Sequence, residues 1–146
     1  MRRAHAVHIL AHDKPWLFAD LVKSLAHELI DIFVHIDRGV ARAPFERSLP
    51  PGTAVRFVSD TRRVNVRWGG LSLVRATFAT LDAAQAGRGR YRRHSLLSGT
   101  DVLLRPIPDL LRLWDSDRQL IRIDRRIDEP GQARSRTVSR LHFPDQ

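Results

Sequence analysis

The 146-residue sequence predicts an α/β domain, with a parallel or mixed sheet covered by helices on both faces. Short apolar runs rich in β-branched residues alternate with longer segments whose apolar residues recur every three or four positions. Pro, Gly and Asp punctuate the boundaries between the two kinds of segment. The length suits one domain, large enough to bury roughly two-thirds of its unfolded surface.

Taken in order, "AHAVHIL" (4–10) is short, apolar and β-branched, which predicts a buried strand. Asp13 stands two residues before Pro15, a pairing suited to the first turn of a helix. In that helix Leu17, Phe18, Leu21, Val22, Leu25 and Leu29 form a wide apolar stripe. "DIFVHID" (31–37) predicts a second strand, closed by Arg38-Gly39, and the Pro-containing stretch 41–52 a loop with at most one helical turn. "AVRFVS" (54–59) alternates as a third strand. Leu71, Val74, Phe78 and Leu81 then set the expected core face of a helix ending near Gly87. "HSLLSG" (94–99) predicts a fourth strand. Pro106 and Pro108 introduce a helix with Leu110, Leu111, Leu113 and Trp114 on its core face. "RQLIRID" (118–124) is a candidate fifth strand, and from Arg125 the chain turns Arg-rich with little apolar periodicity. The expected organisation is one α/β domain over 1–124 followed by an Arg-rich segment, 125–146.

Composition narrows the function classes. No apolar run approaches the ~18 residues of a membrane span, and the amino terminus has too short an apolar core for a signal peptide. Cysteine is absent, which removes disulfides, thiolate metal sites and a cysteine nucleophile and fits a reducing, cytoplasmic setting. The net charge of +9 and pI near 11.5 favour polyanionic partners: nucleic acid, anionic lipid or a phosphorylated small molecule. The basic residues are scattered from Arg2 to Arg140, and no nucleic-acid-binding module accompanies them. Neither a P-loop, a G-x-G-x-x-G nor a G-x-S-x-G elbow occurs.

In open α/β sheets ligands bind outside the carboxyl ends of the strands. His12 and Asp13 follow the first strand, Asp37 ends the second, and Ser98-Gly99-Thr100-Asp101 follow the fourth, so polar groups are expected to converge on one rim. A carboxylate such as Asp37 can accept hydrogen bonds from ribose hydroxyls there, or can simply order a turn. Asp101 has no neighbouring carboxylate, a weak basis for a metal clamp. His5 and His8 lie three apart on a strand and so face opposite sides, which argues against a shared metal. Trp68-Gly69-Gly70 stands directly ahead of a helix, either as a tight turn or as the wall of a nucleotide or sugar-phosphate site.

"HILAHDKPW", "IFVHIDRG", "VRWGGLSLVRATFATLDAA" and "LLSGTDVLLRPIPDLLRLW" occur in this order. Together they resemble the core-2/I-branching family of β-1,6-N-acetylglucosaminyltransferases and peptide O-xylosyltransferases. "RLHFPD" near the end resembles a segment from the middle of bacterial members. The resemblance covers nearly the whole chain but only the amino-terminal portion of a typical member. It implies a GT-A fold, Rossmann-like and here truncated, that binds a UDP-sugar donor and transfers GlcNAc or xylose with inversion to a carbohydrate or hydroxylated peptide acceptor.

By the same resemblance Ala11 and His12 line the nucleotide pocket and Asp37 holds the uridine. Trp68 and Gly69 shape the donor side, and Asp101 takes the place of the usual metal-binding motif. A metal-independent reaction is expected, with Mn²⁺ or Mg²⁺ at Asp101 left open. The general base belongs to the carboxyl-terminal part of such enzymes. The late carboxylates Asp124, Asp128 and Glu129 lie among arginines that lower their pKa and make them poor bases. An incomplete sheet of this kind is expected to self-associate. Two other readings compete: a non-catalytic nucleotide-sugar-binding module, and a basic nucleic-acid-binding domain.

Overall fold

Strand β1 (His5–Ala11) is buried on both faces for nearly its whole length, as expected of a run of small, β-branched and apolar residues at the centre of a parallel sheet. In the computed structural model, which describes residues 5–87 and 90–116, β1 is flanked by β2 (Ile30–Ile36) and β4 (Arg93–Ser98). A short β3 (Val55–Phe57) completes the order β3-β2-β1-β4. Every pairing is parallel, with His5 opposite Ile30 and Arg93, and Ile32 opposite Val55. The candidate strand 118–124 and the boundary at residue 124 lie outside the described residues.

Helices cover both faces, as the alternating pattern predicts. On one face Val7, Ile9 and Ala11 of β1 and Ile30, Ile32, Val34 and Ile36 of β2 form the main core. Helix α1 (Pro15–Leu25) buries Phe18, Leu21, Val22 and Leu25 against them. Its stripe stops at Leu25: Leu29, expected to prolong it, lies beyond the helix and only borders the core. The loop expected over 41–52 contains α2 (Ala43–Ser48), begun by a proline and anchored by Phe45. Helix α4 (Ile107–Asp115) adds Leu111 to the same core. Arg93, at the start of β4, donates to the Trp114 and Ser116 carbonyls, placing a cation at the carboxyl end of α4 where the helix dipole favours one.

The second face belongs to α3 (Leu71–Ala86), and here the expected core stripe is wrong. Val74 and Phe78 are 48% and 58% exposed, and Leu71 and Leu81 are only half-buried. The helix instead turns Ser72, Ala76, Ala79, Thr80 and Ala84 inward. The reason lies in the sheet, which carries the bulk on this side. Phe33, His8 and His35 are essentially fully buried rings, and a helix face of small residues can seat closely over them. Helical spacing identifies a stripe, but it does not say which of two candidate stripes meets the sheet.

His5 and His8 do point to opposite faces. The His5 ring lies 5.3 Å from Trp114, whereas His8 stacks between Phe33 and His94 at 5.7 and 5.2 Å. His8 Nε2 and His94 Nδ1 share a hydrogen bond of 2.9 Å, so one ring donates and the other accepts. Burial, with the neighbouring His94 adding to it, pushes His8 down to about 4. Burial lowers His5 and His35 in the same direction.

A histidine whose pKa is depressed on folding contributes stability that is complete above its unfolded pKa of ~6.5 and lost as pH falls toward the folded value. For His8 that window runs from about 6.5 down to about 4, with a loss on the order of 3 kcal/mol. Urea unfolding at pH 7.5 and pH 4.5 should therefore show a large acid-side loss, and His8→Leu should narrow the gap between the two. An equal gap in parent and variant would show that His8 does not set the acid limit.

Candidate functional site

The rim at the carboxyl ends of the strands is built around adjacent β2, β1 and β4. Because β1 lies between the other two, the segments that follow them emerge within roughly 10 Å of one another. Two backbone bonds extend the pairing past the strands: Asp37 N–H donates to the Ala11 carbonyl and Gly99 N–H to the Leu10 carbonyl. The expected convergence of residues 11–13, 37 and 98–101 is therefore present in the fold.

Asp37 is the organising group. It is 9% exposed, and its two oxygens face different partners. Oδ1 accepts the Gly39 N–H at 2.6 Å and Oδ2 accepts the Val66 N–H at 2.6 Å. The first closes a turn of the kind aspartate favours, and the second draws in a segment distant in sequence. His35 Nε2, on the same side of β2, accepts the Val64 N–H at 2.8 Å. Arg63 completes the clamp by donating to the carbonyls of Ile36, Asp37 and Val40. Residues 63–66 are thus stitched alongside the end of β2. His35 must stay neutral to accept that bond, and its burial keeps it so.

This stitched segment delivers the Trp68-Gly69-Gly70 turn to the rim. The Arg67 N–H donates to buried Ser72 Oγ at 2.8 Å, joining the turn to the first residues of α3. Gly69 sits at φ +76, a left-handed conformation that strongly favours glycine, and a Cβ there would meet nothing within 4 Å. Its role in this structure is to permit the turn. The Trp68 side chain is 94% exposed at the rim.

The remaining expected site residues divide. His12 is exposed and lies 3.9 Å from the Asp13 carboxylate. Ala11 is 4% exposed, and its methyl belongs to the main core, so its contribution at the rim is its backbone carbonyl. Gly99 explains this crowding, because a Cβ there would come within 2.5 Å of the Ala11 Cβ. Asp101 Oδ2 accepts the Ser98 N–H at 2.9 Å, so one carboxylate oxygen orders its own turn. Among the described residues no group of three His, Asp or Glu side chains is placed to hold a metal ion.

Arg63 and Ser72 are the participants that the sequence did not single out. Arg63 is one of 25 basic residues with no distinguishing neighbour, and Ser72 looks like any residue in the first turn of a helix. His35 was within reach of the pattern, since a strand places it on the same side as Asp37. Shallow, open hollows occur beside α4, lined by Arg105, Asp109 and Arg112, and near Ser24 and Leu103. None of the strand-end residues discussed above lines them. No protein-family model and no curated protein matches the sequence.

Two substitutions test this construction. Gly69→Ala should cost roughly 1–2 kcal/mol for forcing an L-residue into the left-handed region, while Gly69→Asn should cost less; chemical denaturation would rank them. Asp37→Asn replaces one acceptor with a donor amide and so opposes a buried N–H, with an expected loss of about 1.5–3 kcal/mol. Unchanged stability in Asp37→Asn would show that the stitch is not held by the carboxylate.

Proposed function

We propose that the carboxyl rim binds a nucleotide sugar, a UDP-linked GlcNAc or xylose, and that the chain is the donor-binding portion of an inverting glycosyltransferase. The supporting observation is the pairing of an exposed indole with a fixed backbone. Trp68 projects from a segment that Asp37, His35 and Arg63 hold against the end of β2. A flat, apolar and exposed ring on a held backbone suits a nucleobase or the apolar face of a sugar ring. Exposed Lys14 and Arg38 follow β1 and β2 and can offset the charge of a diphosphate.

Transfer requires a base for the acceptor hydroxyl and stabilisation of the departing UDP. The rim offers cations for the second task, and the base is left unassigned. With both Asp37 oxygens engaged, the site has few uncommitted reactive groups. That favours the second reading, a binding module of the same fold that does not itself transfer sugar.

Calorimetric titration with UDP and UDP-sugars is the direct test. Trp68→Ala should weaken binding by about 1–3 kcal/mol, the range for lost base stacking, with an unchanged melting temperature because the indole is almost fully exposed. Equal affinity in parent and variant would remove Trp68 from the site. Binding should persist in EDTA, and a loss restored by Mn²⁺ would assign Asp101 as a metal ligand. Product formation from UDP-GlcNAc or UDP-xylose with galactoside, glucoside or Ser-containing peptide acceptors separates enzyme from binding module.

A further inference from the structure

The bonds that hold residues 63–66 against the end of β2 are of two chemical kinds. Arg63 donates to the carbonyls of Ile36, Asp37 and Val40, and the Arg38 N–H donates to the Val64 carbonyl. None of those acceptors titrates, and a guanidinium keeps its proton at any physiological pH. The other bonds depend on protonation. The Val64 N–H ends on His35 Nε2 at 2.8 Å, and the Val66 N–H on Asp37 Oδ2 at 2.6 Å. A backbone N–H can only donate, so His35 Nε2 is the bare nitrogen of a neutral ring. A proton added there turns the acceptor into a donor aimed at another donor.

The surroundings decide what that proton does. His35 lies on the α3 side of β2, and the residues that α3 buries there, among them Ser72, Ala76 and Thr80, carry no charge. On the same side β1 presents His8, bonded to His94 of β4, and burial pushes His8 down to about 4. Arg56 of β3 lies over the Phe33 ring and 4.0 Å from the Asp31 carboxylate. The charges that act on His35 are Asp37, two residues on along the same side, which favours the imidazolium, and Arg63, which opposes it. Burial outweighs Asp37 and holds the ring below the ordinary histidine range. The carboxylate that an imidazolium here attracts is therefore the one that holds the Val66 N–H. One proton works against both titratable bonds, at Val64 by opposing donors and at Val66 by competing for the acceptor. It leaves the Arg63 bonds untouched.

We propose that His35 is a proton-operated latch: on taking up one proton it opens the stitch at Val64 and Val66, while Arg63 keeps the segment tethered and the sheet stays folded. The latch is a property of the chain itself, independent of what the rim binds. Amide hydrogen exchange in the unliganded protein, corrected for the pH dependence of the intrinsic rate, reads it directly. Opening takes up one proton between the exposed-histidine value of ~6.5 and the lower latched value, so protection of Val64 and Val66 should fall about tenfold per pH unit in that range. The Asp37 and Gly99 N–H groups, bonded to the Ala11 and Leu10 carbonyls, should keep theirs. His35→Gln supplies a neutral side-chain acceptor and should hold Val64 equally well at both ends of the range. Protection lost together at all of these amides would assign the proton to the whole fold and overturn the latch. Val64 protection that is flat with pH, or an unchanged slope in His35→Gln, would overturn it too. If His35→Gln does not fold, nitrogen NMR shifts of the imidazole rings in the parent protein decide. The fall at Val64 must level off where His35 titrates, and levelling off where His8 or His94 titrates instead overturns the proposal.

Discussion

The carboxylate of Asp37 is the interaction on which the rim depends. A buried carboxylate is tolerated when its oxygens are occupied by donors, and here both donors are backbone N–H groups from separate segments. One fixes the turn after β2. The other helps to hold residues 63–66 alongside the strand end. With the His35 and Arg63 bonds, it fixes the path of the connection from β3 to α3.

The same network separates two chemically different surfaces of the molecule. The rim collects polar turns, exposed cations and one bare aromatic ring at the strand ends. The outward side of α3 carries Val74 and Phe78 beside exposed Arg75 along the flank of the sheet. Helix α3 links them: its first turn is tied to the preceding turn through Ser72, while its outward side forms the flank.

The architecture was largely legible because its signals are local. β-Branched runs, Pro15 and Pro108 near helix starts, and the polar residues that close the strands reported the strands, the helices and the rim. What escaped depended on contacts between distant segments. Nothing in "FVHID" says that the aspartate's oxygens will accept the Gly39 and Val66 N–H groups, because Val66 lies 29 residues away. Arg63 could not be distinguished among many arginines without knowing that three carbonyls would converge on it. The wrong face of α3 has the same origin. The helix carries both a large-residue and a small-residue stripe, and the rings on the opposing strands decide between them.

That choice gives α3 an unusual genetic logic. In most surface helices the large apolar residues hold the fold and the small ones are expendable. Here the alanines at 76, 79 and 84 are buried, while Val74 and Phe78 are about half-exposed. Variation along this helix would be expected to conserve smallness toward the sheet and to let Val74 and Phe78 drift. An alanine scan, which trims large residues and leaves native alanines untouched, would overlook the very positions that seat the helix.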